Sequence, residues 1–414
     1  MICRTYIFFT LLLSQTLFAQ PIVTGITFEG LKKTKSNYLI QFIKTKVGIP
    51  LDSNMVEADR QRLVNLEIIT QAAARYEVSQ SGVFVTFDCE ESLTILPSLS
   101  VGSIQENTWV RIGFQHTNLA GTGNKLSTFY QYYDRHSGGI YYEHGRRVNS
   151  PFAYTISATK WSSLEPTQIN SFDVNYQYNN YQTAGSVRYY LTYTNSVELG
   201  LNSFYENYSK TSDDEFLPGP EQVSYVKGLL RLTWQNDKLN FNYYYTSGWK
   251  NNLTIQTVRT FKEHIPFVMI VNELQLHRRL FKRGNVACRL RTGLATNNNS
   301  PFAPFALDSY LNIRGVGNRI DRGTATFVLN SEYRQTTYNK KNIAMQLVVF
   351  VDAGTWRKPG GAFIDVWSST NQRLFTGAGI RLIDKRGFNR IFRIDYGSNL
   401  NNSGGFVLGI GQYF

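Results

Sequence analysis

Over most of this chain apolar side chains recur at every second position, the period of a strand rather than a helix. The last ten residues, GFVLGIGQYF, show the pattern. Phe406, Leu408, Ile410 and Phe414 fall on one face, Gly405, Val407, Gly409, Gly411 and Tyr413 on the other, and only Gln412 breaks the apolar row. A strand that is apolar outward, small and mixed inward, and aromatic at its edge suits the closing strand of a barrel in lipid. The last strand of a soluble sheet is the alternative.

From Leu96 onward the alternation predicts strands near 96–104, 109–117, 125–135, 140–146, 153–161, 172–193, 197–208, 223–234, 239–249, 267–280, 285–296, 325–338, 343–356, 374–383, 390–397 and 405–414. About sixteen strands suit the length available, at roughly twenty residues per strand and connection. Phe172–Tyr193 is kept whole, because a cut at Asn179-Asn180 would make the count odd and put the barrel's ends on opposite sides of the membrane. The connections NLAGTGN, TNS, QNDK, FKRG, NKKN and DKRGFN are short, and they alternate with longer ones such as Ser209–Gln222 and Asn297–Thr324. Short turns belong on the periplasmic side of such barrels and long loops outside, which puts both barrel ends in the periplasm.

The segment 21–92 has a different pattern. Ile22–Phe28 reads as a strand, Thr34 or Ser36 as a helix cap, and Tyr38, Leu39, Phe42 and Ile43 as a helical face ended at Gly48 and Pro50. A second helix, near Asn54–Leu66, turns Val56, Leu63 and Leu66 inward, and strands at 68–78 and 83–88 follow around a Gln80-Ser81-Gly82 turn. Ahead of this segment, Arg4, the apolar run Tyr6–Leu13 and the small residue Ala19 predict a secretory signal peptide over 1–19, too short to span a bilayer. Cys89 and Cys288 then remain in different domains and form no disulfide framework.

Composition sharpens this reading. The chain holds 26 Tyr, 27 Phe and 32 Gly against 11 Pro and 4 Met, with a mean hydropathy of -0.28. No later stretch is apolar for long enough to be a transmembrane helix, yet alternation makes a polar chain compatible with lipid. The net charge of +13 is scattered, without a basic helix or a nucleic-acid motif, so nucleic acid is not an expected partner. Five histidines, at 116, 136, 144, 264 and 277, show no metal spacing. No phosphate loop, no G-x-S-x-G and no paired acid and base are present, so no catalytic residue, metal or cofactor is expected.

One constellation stands out. The longest loop contains LNIRGVGNRIDRG, the next strand LNSEYR, and the strand after that MQLVVFVDAGTW. Phe350, Asp352 and Gly354 alternate with Leu347, Val349 and Val351, so if the aliphatic residues face lipid, Phe350 and Asp352 face the lumen. Glu332, Arg334, Arg393 and Asp395 turn inward by the same parity and are expected to line a wet lumen. The order strand–helix–helix–strand–strand in 21–92 resembles a polypeptide-transport-associated (POTRA) domain. The IRG loop, F-x-D-x-G and final Phe together resemble the BamA/TamA superfamily of outer-membrane assembly and translocation proteins.

That resemblance implies an all-β transmembrane barrel of about sixteen antiparallel strands over 96–414, preceded by one small α+β POTRA domain. It also implies an outer-membrane location in a Gram-negative bacterium, with the POTRA domain in the periplasm. The loop would fold into the lumen, with Arg314 and Gly315 meeting Phe350, Asp352 and Gly354. Val316 departs from the Phe or Tyr more usual there. The implied partners are outer-membrane lipid, unfolded outer-membrane or exported protein clients, and periplasmic or lipoprotein accessories. Gly405, Gly409, Gly411 and Phe414 would mark a weak seam where the last strand meets the first. A passive channel or structural barrel, and a secretion pore for one exoprotein, stay open as alternatives.

Overall fold

The computed structural model describes residues 20–104, 107–132, 135–145, 150–169, 172–211, 217–261, 266–299, 303–307, 312–317, 321–400 and 403–414. The expected signal peptide lies outside them. The N-terminal domain runs β1 (Val23–Glu29), α1 (Ser36–Leu39), α2 (Ser53–Val64), β2 (Ile69–Ser79) and β3 (Gly82–Glu91). Its sheet has the order β1-β3-β2, with β1 parallel to β3. Val23, Leu39, Val56, Leu63, Val85 and Phe87 form its core. Asp52 caps α2 by accepting from the amides of Asn54 and Met55, which satisfies two donors that the helix leaves unpaired.

The first helix is shorter than its pattern predicts. One 3-10 turn carries it to Phe42, and the chain is extended by Ile43, short of Gly48. The amides of Lys44 and Thr45 donate instead to the buried Asp59 carboxylate on α2, at 2.8 and 2.7 Å. Thr34 does not cap the helix either. Its amide donates to Glu91 at 2.7 Å and its hydroxyl accepts from Asn118 of the barrel at 2.9 Å.

The barrel's strands are β4 (Ile95–Ile104), β5 (Asn107–Leu119), β6 (Asn124–Tyr132), β7 (His136–His144), β8 (Phe152–Ile169), β9 (Phe172–Tyr190), β10 (Asn195–Lys210), β11 (Gln222–Asp237), β12 (Asn240–Asn242), β13 (Tyr245–Thr260), β14 (Pro266–Leu280), β15 (Gly284–Ala295), β16 (Phe305–Ala306), β17 (Arg322–Gly323), β18 (Ala325–Asn339), β19 (Ile343–Arg357), β20 (Gln372–Asp384), β21 (Ile391–Ser398) and β22 (Gly404–Ile410). Sixteen of them form an antiparallel wall, and β22 comes round beside β4 to close it. β12 is an arm on β13, while β16 and β17 pair as a small hairpin. Ile156, Leu201, Val349 and Phe406 stand exposed on the outer face, the apolar surface that a barrel presents to lipid. Cys89 is buried in the N-terminal domain and Cys288 sits on the wall, both as free thiols.

Three strands depart from the sequence reading. β8 runs on to Ile169 because β9, unbroken through Asn179-Asn180, pairs with it throughout. The strand expected at 239–249 is displaced, and the wall strand is β13, where Leu253 and Ile255 alternate with Asn252, Thr254 and Gln256. Lys238–Ser247 instead leaves the wall at Gly248 and folds inward, its Tyr245 hydroxyl donating to Thr336 on β18 at 2.9 Å. The last strand stops at Ile410 rather than 414: the Gly411 amide adds a last rung, donating to the Ile391 carbonyl at 2.7 Å, and the positive φ of Gly411, +92°, then turns the chain away from β21.

The N-terminal domain packs against the short-turn end. Lys35 donates to Gly121 at 3.0 Å, the Tyr193 hydroxyl donates to Arg62 at 3.1 Å, Gln61 donates to Phe241 at 3.1 Å and Phe388 donates to Ser92 at 2.9 Å. These three turns and the arm are spread around the ring, so the domain lies across the mouth. Beneath it the inward-folded arm reaches the turn between β20 and β21, where the Phe241 and Phe388 rings meet edge to face at 5.0 Å.

Candidate functional site

The loop between β15 and β18 enters the lumen, and the wall is shaped to receive it. Asn330 donates to the Asn312 carbonyl at 2.7 Å, and Leu307, Ile313 and Val316 pack with Val328, Trp356 and Phe375. Gly354 leaves the room that Ile313 and Leu307 fill. Val316 is thus an aliphatic anchor, buried in this cluster. Gly315 has φ +86°, and a Cβ there would lie 2.2 Å from the Gly397 carbonyl oxygen. Only glycine fits both constraints.

This approach delivers Arg314 to Asp352. Arg314 Nε and Nη2 donate to the two carboxylate oxygens at 2.8 and 2.9 Å, and its backbone amide donates to Oδ2 at 3.0 Å. The guanidinium lies 3.7 Å from the centre of the Phe350 ring. Nη1 donates to Glu332, which also accepts from Arg334. Arg381 makes a second two-point pair with Asp395 at 2.6 and 3.1 Å, and Arg393 lies 3.7 Å from the same carboxylate. Among the described residues, four guanidiniums therefore share three carboxylates.

The expected lock and charge network thus meet in one place: Arg314, Phe350, Asp352, Glu332, Arg334, Arg393 and Asp395 are in contact, with Gly315 and Gly354 as fittings. One expectation needs correction. These charges do not line a wet lumen: Arg314, Arg334, Asp352 and Asp395 are 0% exposed. The loop and the neighbouring side chains cover them, so each depends on its partners rather than on water.

The seam residues also differ from expectation. Gly405 and Gly409 do face inward on β22, and Gly409 is small for a reason of packing: a Cβ there would lie 2.9 Å from the Arg393 guanidinium, whereas one on Gly405 would make only ordinary contact with Gly315. Gly411, with φ +92°, belongs to the turn that follows the strand. Phe414 does not reach the lipid edge, since the turn carries Tyr413 and Phe414 into the lumen. Tyr413 stacks at 4.5 Å from Arg314 and 4.8 Å from Arg393, and Arg334 donates to the Phe414 carbonyl at 3.1 Å. The sequence reading missed Arg381 and the role of Tyr413. Alternation within RLFTGAGIRLID already turns Arg381 inward, whereas Tyr413 reaches Arg314 only through the turn at Gly411.

At that turn a cavity of about 1000 Å³ touches both sides of the wall. Ser98, Arg111 and Trp161 line it from the lumen, and Pro97, Phe114 and Ile410 from the outer face. It begins at β4 and the end of β22, the shortest wall strand at 7 residues, and extends along the lumenal face past Phe129 and Trp161 to Tyr178 and Asn180 on β9, with Arg386 and Glu67 at its short-turn end.

Residues 21–91 match the family model described as POTRA, surface antigen variable number repeat. The N-terminal domain is a POTRA domain. No curated protein matches the chain in sequence. Among solved structures the chain is similar to BamA from Haemophilus ducreyi lacking POTRA domains 1-3, at a TM-score of 0.55 and 16% identity, over 95% of this chain and 84% of that one. It is also similar to CdiB from Acinetobacter baumannii (TM-score 0.59, 14% identity, 94% and 73% covered). CdiB from Escherichia coli matches at a TM-score of 0.61 and 9% identity, with 95% and 77% covered. The chain therefore carries one POTRA domain ahead of a barrel with the fold of BamA and CdiB.

Gly315→Ala should expel the loop tip, because the methyl group meets backbone that cannot move aside and a positive φ disfavours alanine by about 1 kcal/mol. The expected readout is proteolytic cleavage within 297–324 in a barrel that still migrates as folded. A loop as protected as in the parent protein would refute the fit described here.

Proposed function

We propose that this protein inserts proteins into the outer membrane of a Gram-negative bacterium or carries them across it, with the POTRA domain in the periplasm and a seam that opens sideways. The observation that carries this reading is a cavity that opens at the seam, beside a lumen that the chain's own segments occupy in large part. A passive channel needs a continuous wet path. Here the loop, the tail and the inward arm occupy much of the lumen while the POTRA domain lies across its mouth. The cavity's outer side lies beside β4 and the end of β22, where an opened seam would give a client strand an edge to pair with in a medium that punishes unpaired backbone. On the POTRA sheet, β2 is an outer strand that pairs only with β3 among the described residues. Such an edge accepts an extended segment through main-chain hydrogen bonds that tolerate many sequences.

Depleting the protein and comparing the outer-membrane proteome tests this. Broad loss of barrel proteins is the expected result for insertion, and loss of one exported protein identifies a dedicated secretion pore. An unchanged proteome would overturn both and leave a channel.

A further inference from the structure

On the outer wall toward the long-loop end, three neighbouring strands change character at one level. Outward side chains on β8 run Phe152, Tyr154, Ile156 and Ala158 and then reach Lys160. On β9 they run from Tyr189 and Val187 up to Tyr181 and then reach Asn179. On β10 they run Leu199, Leu201, Ser203 and Tyr205 and then reach Asn207. Lys160, Tyr181 and Tyr205 are direct partners in one row, and Ser162, Asn179 and Asn207 in the next. From Phe152 to Lys160 a tilted strand climbs roughly 20 Å, close to the ~25 Å of a barrel's apolar band. The row of Lys160 therefore sits at headgroup height.

A cavity of about 500 Å³ opens there, lined by Arg135, His136, Lys160, Asn179, Tyr181 and Asn207. The polar groups beneath it mostly satisfy one another. Ser162 donates to Asn179 at 2.8 Å, Gln177 to Ser162 at 2.7 Å and Asn207 to Ser224 at 2.7 Å. Arg135 uses Nε on Gln177 at 2.7 Å, which leaves its terminal N–H groups for a ligand. The Lys160 ammonium lies 5.7 Å from the Tyr181 ring and has no carboxylate partner among the described residues. Two cations, amide-lined and flanked by tyrosines at the edge of an apolar wall, complement an anion that itself sits at the interface.

We propose that this groove binds the phosphate of a membrane-lipid headgroup in the leaflet at the long-loop end. Lys160 and Arg135 supply the charge, and Tyr181 and Tyr205 lie along the start of the acyl chains. The test is native mass spectrometry of the full chain released from a neutral detergent, with dioleoylphosphatidylglycerol, dioleoylglycerol or inorganic phosphate added. Phosphatidylglycerol should be retained, and the joint change Lys160→Gln with Arg135→Gln should cut retention roughly tenfold, the scale of a lost charge-assisted contact. Lys160→Arg should keep it, as should Lys340→Gln with Lys341→Gln at the opposite end. Heat-modifiable migration verifies that each variant is folded. Equal retention of dioleoylglycerol, or an unaffected double variant, overturns the proposal. Displacement of the lipid by an equal concentration of inorganic phosphate also overturns it, since the site would then take a free anion.

Discussion

Asp352→Ala is expected to lower the temperature at which the barrel loses its heat-modifiable migration, with a cost of roughly 3–5 kcal/mol if the site stays dry. The size follows from what remains. Arg314 loses both Nε and Nη2 acceptors and keeps Glu332, which already accepts from Arg334. With four guanidiniums to three carboxylates in the cluster, removing one carboxylate leaves two cations in excess in a region closed to solvent. Arg314→Ala should cost a similar amount through the orphaned Asp352. Replacing both at once, as Arg314→Met with Asp352→Leu, should recover much of the loss, because an apolar pair has no charge to desolvate. If either single variant melts like the parent protein, water reaches the cluster and the dry lock is wrong. A double variant as unstable as the singles would show that the loop's packing, not its charge, is what Arg314 secures.

The barrel was legible because alternation survives without tertiary context. Leu347, Val349 and Val351 announce a lipid face, and Phe350 and Asp352 follow as inward by parity alone. Parity also placed Glu332, Arg334, Arg393 and Asp395 on the correct side of the wall. It could not say whether the space they face is wet. That depends on how deeply the 297–324 loop enters, and entry depends on contacts such as Asn330 to Asn312 and Gly315 to Gly397 that join distant segments. The same limit explains Val316. Without the apolar cluster of Leu307, Val328 and Trp356 it looks like a missing aromatic, whereas the aromatic face over Arg314 comes from Phe350 and Tyr413.

The two segments read wrongly, 239–249 and 411–414, share a cause. Each has strand-like residues and each bends off the wall at a glycine, Gly248 or Gly411, into the lumen. Tyr243, Tyr244 and Tyr245 are good strand formers whether they pair in the wall or pack as an arm across it. Local pattern cannot separate these outcomes, because what decides them is the set of partners waiting inside: Thr336 for the arm, and Arg314 and Arg393 for the tail.

The tail gives the seam its expected behaviour. Tyr413 stacks on Arg314 and follows directly from β22, so β22 cannot move away from β4 by much without drawing Tyr413 off the lock. A covalent tie across the seam should then block the opening while leaving the lock undisturbed. In a background without Cys89 and Cys288, one cysteine on β4 between Leu96 and Val101 and one at Phe406, Leu408 or Ile410 should form a disulfide that abolishes activity in a depleted strain. The barrel should stay folded and inserted, and reduction should restore activity. The control is Ile255→Cys with Ile270→Cys, direct partners on β13 and β14, where a wall pair has no reason to separate and a disulfide should do little. Closure between first and last strands is a necessity in a passive barrel, since an open edge in lipid exposes unsatisfied backbone groups. A tie there would be harmless in that case. Full activity with the seam locked, unchanged by reductant, would exclude sideways opening and move the channel reading ahead.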